Sequence, residues 1–245
     1  MRLATFRAGK AHILYDADSL CDADAAPQIG PHSFDPAHWQ RAARVTGEAP
    51  GRGASLFLDA GDAEWVLRPY RRGGLIARFC ERRYLWTGLE RTRAFRELRL
   101  TAELHARGLP VPRPVAAAVT RHGLTYEAAL ITVRLPATRA LAGLLEGGGA
   151  DDGLLEGGGA DDGLLERVGH TLRRFHDAGL DHVDLNARNL LVDAEGRVWL
   201  IDLDRCRLRR DGAWKRANLE RLARSLAKFA APEAMDPIRR GYGAA

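Results

Sequence analysis

The stretch HVDLNARNLLVDAEGRVWLIDLD, residues 182–204, constrains the fold more than any other part of the chain. It contains two short apolar runs, LLV and VWLI, which are separated by a polar turn sequence with glycine at 194–196. This pattern predicts an antiparallel β-hairpin. Asp184 and Asn189 precede the first strand, and Asp202 ends the second strand. Because the strands run antiparallel, we expect these three polar residues to lie at the same end of the hairpin.

The residue types at this end suit phosphoryl transfer. The amide oxygen of Asn189 and the carboxylate of Asp202 are ligands of the kind that Mg²⁺ binds, with water and substrate phosphates completing its shell. The separate carboxylate of Asp184 can take a proton from an attacking hydroxyl group. The alternative is a buried hairpin whose Asp and Asn residues only stabilise turns. The complete set at this spacing favours the chemical interpretation.

The first half of the chain predicts a small antiparallel sheet with one helix. AHILYD is strand-like, and the segments 55–58 and 65–70 predict a hairpin. ERTRAFRELRLTAELHARG has apolar residues at helical spacing and ends at Gly108, which predicts a helix. Two further strands are expected on either side of residues 121–123. The order strand, strand, helix, strand, strand indicates an α+β fold.

The second half contains a tandem duplication and two predicted helices. GLLEGGGADD occurs at 143–152 and again at 153–162, and a third copy ends after GLLE. Each glycine costs a helix about 1 kcal/mol relative to alanine, so we expect a surface loop here. LLERVGHTLRRFHDAGL predicts a helix that ends at Gly179, and WKRANLERLARSLAKFAA predicts another. We expect a mainly helical second part with a loose C-terminal tail, GYGAA.

Composition and charge indicate a cytosolic protein with a polyanionic partner. The formal net charge is +5, and residues 68–99 hold ten arginines against three glutamates. The chain shows neither an apolar run of membrane-spanning length nor an apolar leader segment at the N-terminus. The three cysteines are scattered without CxxC spacing, as expected of reduced thiols. The arginine cluster lacks the interleaved aromatic platform of single-strand binding proteins, so we expect no nucleic-acid partner.

The polar spacing resembles one known catalytic loop. The pattern H-x-D-x4-N from His182 to Asn189, followed by Asp202, resembles the catalytic loop and the metal-binding aspartate of the protein-kinase-like fold. The sequence departs from protein kinases at Asn186, which stands in place of lysine, and after Asp202, where Leu-Asp replaces Phe-Gly. These departures indicate a small-molecule or lipid kinase.

A fold of this kind needs a nucleotide site in the first half. Gly51, Gly53 and Ser55 lie in the entry to the first hairpin, where backbone N–H groups can approach phosphates. Arg68 in WVLRPY stands where the fold usually has a strand lysine, and Glu97 in the following helix is its expected partner. A surface ion pair between Glu97 and an arginine of its own helix is the alternative.

The lobe hinge is expected at residues 131–135, where backbone groups around Val133 could meet adenine. The predicted lobes are residues 1–135, which bind the nucleotide phosphates, and residues 136–245, which carry the catalytic loop and the metal site.

Several stretches together resemble the 3-deoxy-D-manno-octulosonic acid (Kdo) kinases of Gram-negative bacteria. They are FDPAHW, GRGASLFL, WVLRPYRRGGLIARF, YLWTGLERTRAFRELRL, GLPVPRPVAAAVTRHGLTYEAALIT and the block that begins with HVDLNARNLLVD, and the likeness covers about residues 34–228. The resemblance implies ATP-dependent phosphorylation of the Kdo 4-hydroxyl on a Kdo-bearing lipid A precursor, with Mg²⁺ as cofactor. It also implies that Asp184 is the catalytic base and that Asn189 and Asp202 hold the metal.

The same resemblance implies a peripheral protein at the cytoplasmic face of the inner membrane. Each arginine near such an anionic surface contributes about 1 kcal/mol. The segment LIARFCERRYLW also places apolar and aromatic residues among arginines and could lie in the interface. The alternative is that these residues pack under the small N-terminal lobe. The competing interpretations are a heptose kinase or aminoglycoside-type phosphotransferase of the same fold, and a non-catalytic module that binds nucleotide or lipid.

Overall fold

In the computed structural model of the chain, the structure describes residues 1–21, 26–49, 55–70, 83–147 and 160–243. The chain divides into two compact units. The first comprises Met1–Ala106 and Arg113–Arg134, and the second comprises Arg107–Pro112 and Leu135–Ala245. The division predicted at residue 135 therefore needs one correction, because the proline-containing segment Arg107–Pro112 belongs to the second unit.

The first unit is built on one antiparallel sheet. Its strands are β1 (Leu3–Ala8), β2 (Ala11–Asp16), β3 (Val45–Ala49), β4 (Ser55–Asp59), β5 (Glu64–Pro69), β6 (Tyr84–Leu85), β7 (Pro114–His122) and β8 (Thr125–Val133). Its helices are α1 (Ala17–Leu20), α2 (Pro36–Arg41) and α3 (Arg93–Ala106), with 3-10 turns at Pro31–Phe34 and Leu89–Arg91.

The sheet has eight strands in the order β1-β2-β7-β8-β5-β4-β3, and β6 pairs with β8. The predicted hairpins β4–β5 and β7–β8 are both present, and Gly61 and Gly123 take the positive φ that their tight turns require. The predicted small sheet is wrong in size, because β1 and β3 extend it at its two edges. Neither edge strand contains a fully buried residue, and their residues vary only between partly buried and exposed, which gives a weak sequence pattern.

The two faces of this sheet bury separate hydrophobic clusters. Consecutive residues of a strand point to opposite faces, so Ile13 joins one cluster and Leu14 the other. The first cluster includes Trp39 of α2, and the second includes Phe95 and Leu98 of α3. Complete burial of a side chain such as Phe95 contributes about 1.5–3 kcal/mol, which fixes α3 against the sheet.

The second unit is mainly helical. Its helices are α4 (Leu141–Leu145), α5 (Asp162–Asp177), α6 (Trp214–Ala227) and α7 (Met235–Gly243), with a 3-10 turn at Pro232–Ala234. Its strands are β9 (Arg139–Ala140), β10 (Leu180–Asp181), β11 (Leu190–Val192), β12 (Val198–Leu200) and β13 (Arg207–Leu208). Most of the glycine-rich duplication lies outside the described residues, whereas its first GLLE belongs to α4 and the turn after it, and its last GLLE begins α5.

Helices α5 and α7 pack closely through glycines. A side-chain carbon on Gly169 would clash with the backbone of Ile238, and one on Gly241 would clash with the backbone of Glu166. The prediction of a loose C-terminal tail is therefore wrong as far as Gly243, where α7 ends. Glycine usually weakens a helix, but here Gly241 permits close contact between two helices.

The predicted hairpin is present as β11 and β12, with Leu190 opposite Leu200. Asp193 stabilises its turn, because its carboxylate accepts from the backbone N–H of Arg197 at 2.7 Å and from the indole N–H of Trp199 at 2.8 Å. Asp202 does not end the second strand as predicted. It lies two residues beyond β12, in a left-handed backbone conformation with φ of 60°.

Within the described part of the chain, none of the helices has both the length and the apolar character needed to cross a bilayer.

Candidate active site

Two asparagine side chains close the loop that carries Asp184. The carbonyl oxygen of Asp184 accepts from Nδ2 of Asn186 and from Nδ2 of Asn189, both at 2.9 Å. The backbone N–H of Asn189 also donates to the carbonyl oxygen of Asn186 at 3.1 Å. These bonds fix the backbone of the loop, while the side chain of Asp184 is exposed to solvent. An exposed carboxylate on a fixed backbone is suited to act on a bound acceptor.

Helix α6 anchors the start of this loop through Asn218. Its side-chain oxygen accepts from the backbone N–H of His182 at 2.9 Å, and its Nδ2 donates to Asp181 at 3.0 Å and to the carbonyl oxygen of Trp214 at 2.9 Å. Asn218 is 1% exposed, so each of these bonds satisfies a group that water does not reach. The loop therefore depends on a polar side chain 36 residues further along the chain.

Asp181 carries a negative charge beneath the loop. Burial raises the pKa of its carboxyl group. The hydrogen bond from Asn218 and the guanidinium of Arg209 together lower the pKa by more than burial raises it, so the pKa lies below its ordinary value. The Arg209 guanidinium contacts Asp181 at 3.0 Å. Asp181 consequently stays ionised and keeps its hydrogen bonds with Asn218 and Arg209.

The hairpin brings Asn189 and the segment around Asp202 to the same end, as predicted. The backbone N–H of Ile201 donates to the carbonyl oxygen of Asn189 at 3.0 Å, and Asp202 is the next residue. The ring Nε2 of His182 lies 3.1 Å from the carbonyl oxygen of Ile201 and joins the loop to the same segment. The left-handed conformation of Asp202 costs about 1–3 kcal/mol, and such strain is concentrated at functional sites.

These residues fit a Mg²⁺ ion that is bound together with a phosphate-bearing substrate. Because Nδ2 of Asn189 donates to Asp184, its Oδ1 is the atom that can face a cation. Asp202 adds a carboxylate, and the two supply an oxygen ligand set of the kind that Mg²⁺ prefers. The described residues include no cluster of three or more His, Cys, Asp or Glu side chains suited to a metal. A cation here would therefore need substrate oxygens and water as its other ligands.

The first unit contains the expected strand–helix ion pair. Nη2 of Arg68 lies 2.5 Å from Oε1 of Glu97, and the Glu97 side chain is only 3% exposed. The hydroxyl of Tyr70 donates to Oε2 of the same carboxylate. Burial and the Glu97 charge raise the pKa of Tyr70 well above its ordinary value, although Arg68 acts in the opposite direction, so its hydroxyl remains a donor. Glu97 therefore pairs with the strand arginine, and the alternative of a helix-surface pair is wrong.

Of the other predicted nucleotide-binding residues, Ser55 and Val133 lie in described strands of the first unit. Gly51 and Gly53 lie outside the described residues. Ser55 is the first residue of β4 and pairs with Ala49 of β3. The backbone N–H of Val133 donates to the carbonyl oxygen of Arg113 at 2.9 Å, so this N–H is not available to adenine. The contacts of these residues with nucleotide stay predictions.

The proposed membrane-facing segment needs a correction at its C-terminal end. Most of it, residues 75–82, lies outside the described residues. Tyr84 is buried and its ring lies 5.6 Å from that of Tyr126. Trp86 is partly buried, and its ring centroid lies 6.2 Å from that of Tyr126. The guanidinium of Arg121 lies 4.9 Å from the centroid of the Trp86 ring. These two aromatic residues stabilise the first unit and do not form an outward apolar face.

Sequence reasoning did not identify Tyr70 or Asn218. Tyr70 stands beside Pro69 at the end of a predicted strand, and Asn218 stands within a basic helix. A polar residue at the buried spacing of an amphipathic helix is a weak indication of such a role. Neither partner could be identified without the fold, because Glu97 and His182 lie 27 and 36 residues away.

A mixed helix and sheet fold with a catalytic-type loop beside an oxygen ligand pair is typical of kinase-like phosphotransferases. The lipopolysaccharide kinase (Kdo/WaaP) family model matches residues 36–238, and the chain belongs to this family. The family resemblance found in the sequence is confirmed.

Two relatives from different genera carry the same name. Proteins named 3-deoxy-D-manno-octulosonic acid kinase are 43% identical over 237 residues in Stenotrophomonas maltophilia strain R551-3, covering 96% of this chain and 87% of the relative. They are 44% identical over 245 residues in Xanthomonas axonopodis pv. citri strain 306, covering 98% of this chain and 90% of the relative. The similarity therefore extends over nearly the whole of both proteins.

Proposed function

We propose that this protein is an ATP-dependent kinase that phosphorylates the 4-hydroxyl of Kdo on a Kdo-bearing lipid A precursor in lipopolysaccharide core synthesis. The observation that carries the proposal is the Asp184 loop, in which Asn189 fixes the backbone of the carboxylate that would act as base and can itself ligate a cation. The full-length similarity to proteins named Kdo kinase supports the choice of acceptor.

The fold proposed for this activity is the two-lobed, protein-kinase-like one. The sheet unit, with α3 packed on its sheet, would bind the nucleotide phosphates through Arg68. The helical unit would supply the catalytic loop and the metal ligands. The Arg68–Glu97 pair supports this assignment, because a buried carboxylate that holds a strand cation is a functional part of such kinases.

The transfer then follows from the residues in place. Asp184 orients the Kdo 4-hydroxyl and accepts its proton as the oxygen attacks the γ-phosphorus of ATP. A bond forms between this oxygen and phosphorus, the bond from phosphorus to the β–γ bridging oxygen breaks, and ADP leaves. Arg68 holds the phosphates, and Asn189 and Asp202 are the residues that would hold Mg²⁺. When bound there, the cation neutralises charge on the phosphate oxygens.

The acceptor also suggests where the protein works. A lipid A precursor is an amphiphile with phosphates and carboxylates, and it resides in a membrane. The net charge of +5 and the arginines at 68–99 support peripheral binding to the anionic cytoplasmic face of the inner membrane. Co-sedimentation with vesicles tests this part, and equal binding to neutral and anionic vesicles would contradict it.

Transfer of labelled γ-phosphate tests the activity directly. The acceptor is a Kdo-bearing lipid A precursor, and the control acceptor is the same lipid without Kdo. We expect label only on the Kdo-bearing lipid, and a decrease of about 10²–10⁴-fold in turnover for Asp184→Asn. Asp236→Asn, at a position 75% exposed in α7, is the matched control and should keep parental activity.

Each result has a defined meaning. Label on both lipids would contradict the Kdo acceptor, and label on neither, with ATP still bound, would favour another sugar acceptor. Near-parental turnover in Asp184→Asn would contradict its role as base.

A further inference from the structure

Tyr70 contacts both members of the Arg68–Glu97 pair. Its hydroxyl donates to Oε2 of Glu97, while Nη2 of Arg68 lies 2.5 Å from Oε1 and 3.4 Å from the Tyr70 hydroxyl oxygen. The Arg68 guanidinium also lies 4.9 Å from the centroid of the Tyr70 ring. Both oxygens of the buried carboxylate thus receive a donor, and both donors come from the end of one strand.

The chain geometry explains why these two donors meet one carboxylate. Arg68 and Tyr70 are two residues apart, and alternate residues of an extended strand point to the same face. That face is the one on which α3 packs, with Glu97 at its buried side. Pro69 lies beyond the last residue pair of β4 and β5, Leu56–Leu67, so its missing N–H removes no hydrogen bond to β4. The backbone N–H of Tyr70 donates to the carbonyl oxygen of Ala128 at 2.9 Å and fixes its position.

An arginine at this position must have its guanidinium plane held in a defined orientation, whereas a lysine ammonium has no such requirement. The lysine ammonium is a compact charge, whereas the guanidinium is a plane whose donors have fixed directions. The contact between Nη2 and Glu97 does not by itself fix the rotation of the guanidinium plane. The ring of Tyr70 and its bond to Glu97 limit this rotation, because they restrain the guanidinium and the carboxylate at the same time.

We propose that Tyr70 is a positioning residue for nucleotide binding, whose hydroxyl holds the Glu97 carboxylate in the orientation that directs Arg68 toward the phosphates of ATP. This inference rests on the proposed function only in that Arg68 faces phosphates. The acceptor plays no part in it, so the test can be made with nucleotide alone.

Tyr70→Phe removes the hydroxyl and keeps the ring. The matched control is Tyr126→Phe, which removes a hydroxyl from another buried tyrosine of the same cluster. Within the described part of the chain, that hydroxyl accepts from the Arg93 backbone N–H at 3.1 Å and makes no hydrogen bond with Glu97. The measurements are equilibrium titration with Mg-ATP in the absence of acceptor, thermal unfolding, and the KM of each substrate with kcat.

For Tyr70→Phe we expect ATP to bind about tenfold more weakly or worse, because a hydrogen bond to a charged group is lost. The KM for acceptor should not change. Tyr126→Phe should bind ATP as the parent does. In a Glu97→Gln background, Tyr70→Phe should weaken ATP binding by less than twofold, because Tyr70 acts through Glu97.

Several outcomes would overturn the proposal. They are parental ATP affinity in Tyr70→Phe, an equal loss in Tyr126→Phe, additive losses with Glu97→Gln, or a Tyr70→Phe protein that unfolds where Tyr126→Phe does not. Failure of the proposed function is distinguishable, since it would leave the ATP titration intact and abolish only transfer to the Kdo-bearing lipid.

Discussion

The side-chain amide of Asn189 donates to the carbonyl oxygen of Asp184 at 2.9 Å, and the side-chain amide of Asn186 donates to the same oxygen at the same distance. The two asparagines thus hold the loop in equivalent ways. They differ in what lies next to them. Asn189 directly precedes β11, and its own carbonyl accepts from Ile201. Asn186 instead accepts from the Arg188 backbone N–H. Of these two asparagines, Asn189 is therefore the one that we expect to share a cation with Asp202.

This difference predicts unequal effects of two matched substitutions. Asn189→Ala should lower turnover by about 10²-fold or more and raise the Mg²⁺ concentration needed for half-maximal activity, because a metal ligand is lost. Asn186→Ala removes the same kind of bond to Asp184 but no ligand, so its Mg²⁺ requirement should match that of the parent. Titration of initial rates with Mg²⁺ makes the comparison. An identical Mg²⁺ response in both variants would show that Asn189 acts only on the loop.

The anchor beneath the loop predicts a loss of stability. Asn218→Ala leaves the His182 N–H and one oxygen of Asp181 without their present partner in a buried place. Such a change costs about 1–3 kcal/mol for an unsatisfied buried group. Urea unfolding should show this decrease, whereas Asn186→Ala, at a partly exposed position, should cost less. Equal losses in the two variants would contradict the anchoring role.

The parts of the fold that the sequence predicted are those with local causes. The hairpin β11–β12 follows from two apolar runs around a short turn, and α3 follows from apolar residues at helical spacing before Gly108. The placement of Asn189 and the Asp202 segment at one end of the hairpin was predictable for the same reason, whereas their role as metal ligands stays a prediction. The edge strand β3 was missed because its five residues, VTGEA, carry little apolar alternation.

The parts that were missed depend on distant partners. Tyr70 and Asn218 are defined by hydrogen bonds to residues far along the chain, which no local pattern indicates. The tail was misjudged because Gly241 has two opposite uses. In isolation it weakens a helix, and against α5 it allows a backbone contact that any side chain would prevent.

The packing of α7 predicts opposite results for two glycine substitutions. Gly241→Ala should destabilise the protein by about 1–3 kcal/mol or more, because the added carbon meets the backbone of Glu166 and the helices must separate. Gly243→Ala places the same carbon where no atom lies within 4 Å. It should be neutral or slightly stabilising, as expected for alanine in a helix. Thermal unfolding distinguishes them, and equal midpoints would mean that α7 does not pack on α5 in solution.

His176 predicts how stability depends on pH. Burial and the nearby Lys215 charge lower its pKa to about 4, whereas its ordinary value is 6.5. The ring lies 2.8 Å from the Tyr242 hydroxyl, so it links α5 to α7. As the pH falls below 6.5, the unfolded chain binds a proton that the folded protein does not bind until about pH 4. The stability from this group is therefore complete above the ordinary pKa and is lost between the two values.

The expected slope is up to about 1.4 kcal/mol per pH unit for this one proton. Urea unfolding between pH 4 and 7 should show it in the parent, and His176→Gln should reduce it even though that variant is less stable at pH 7. The matched control is His170→Gln, at an exposed position of the same helix, which should keep the parental slope. A parental slope in His176→Gln would mean that the pKa of His176 in the folded protein does not lie below its ordinary value. In that case, the contact through which His176 holds α7 would not depend on a neutral His176 ring.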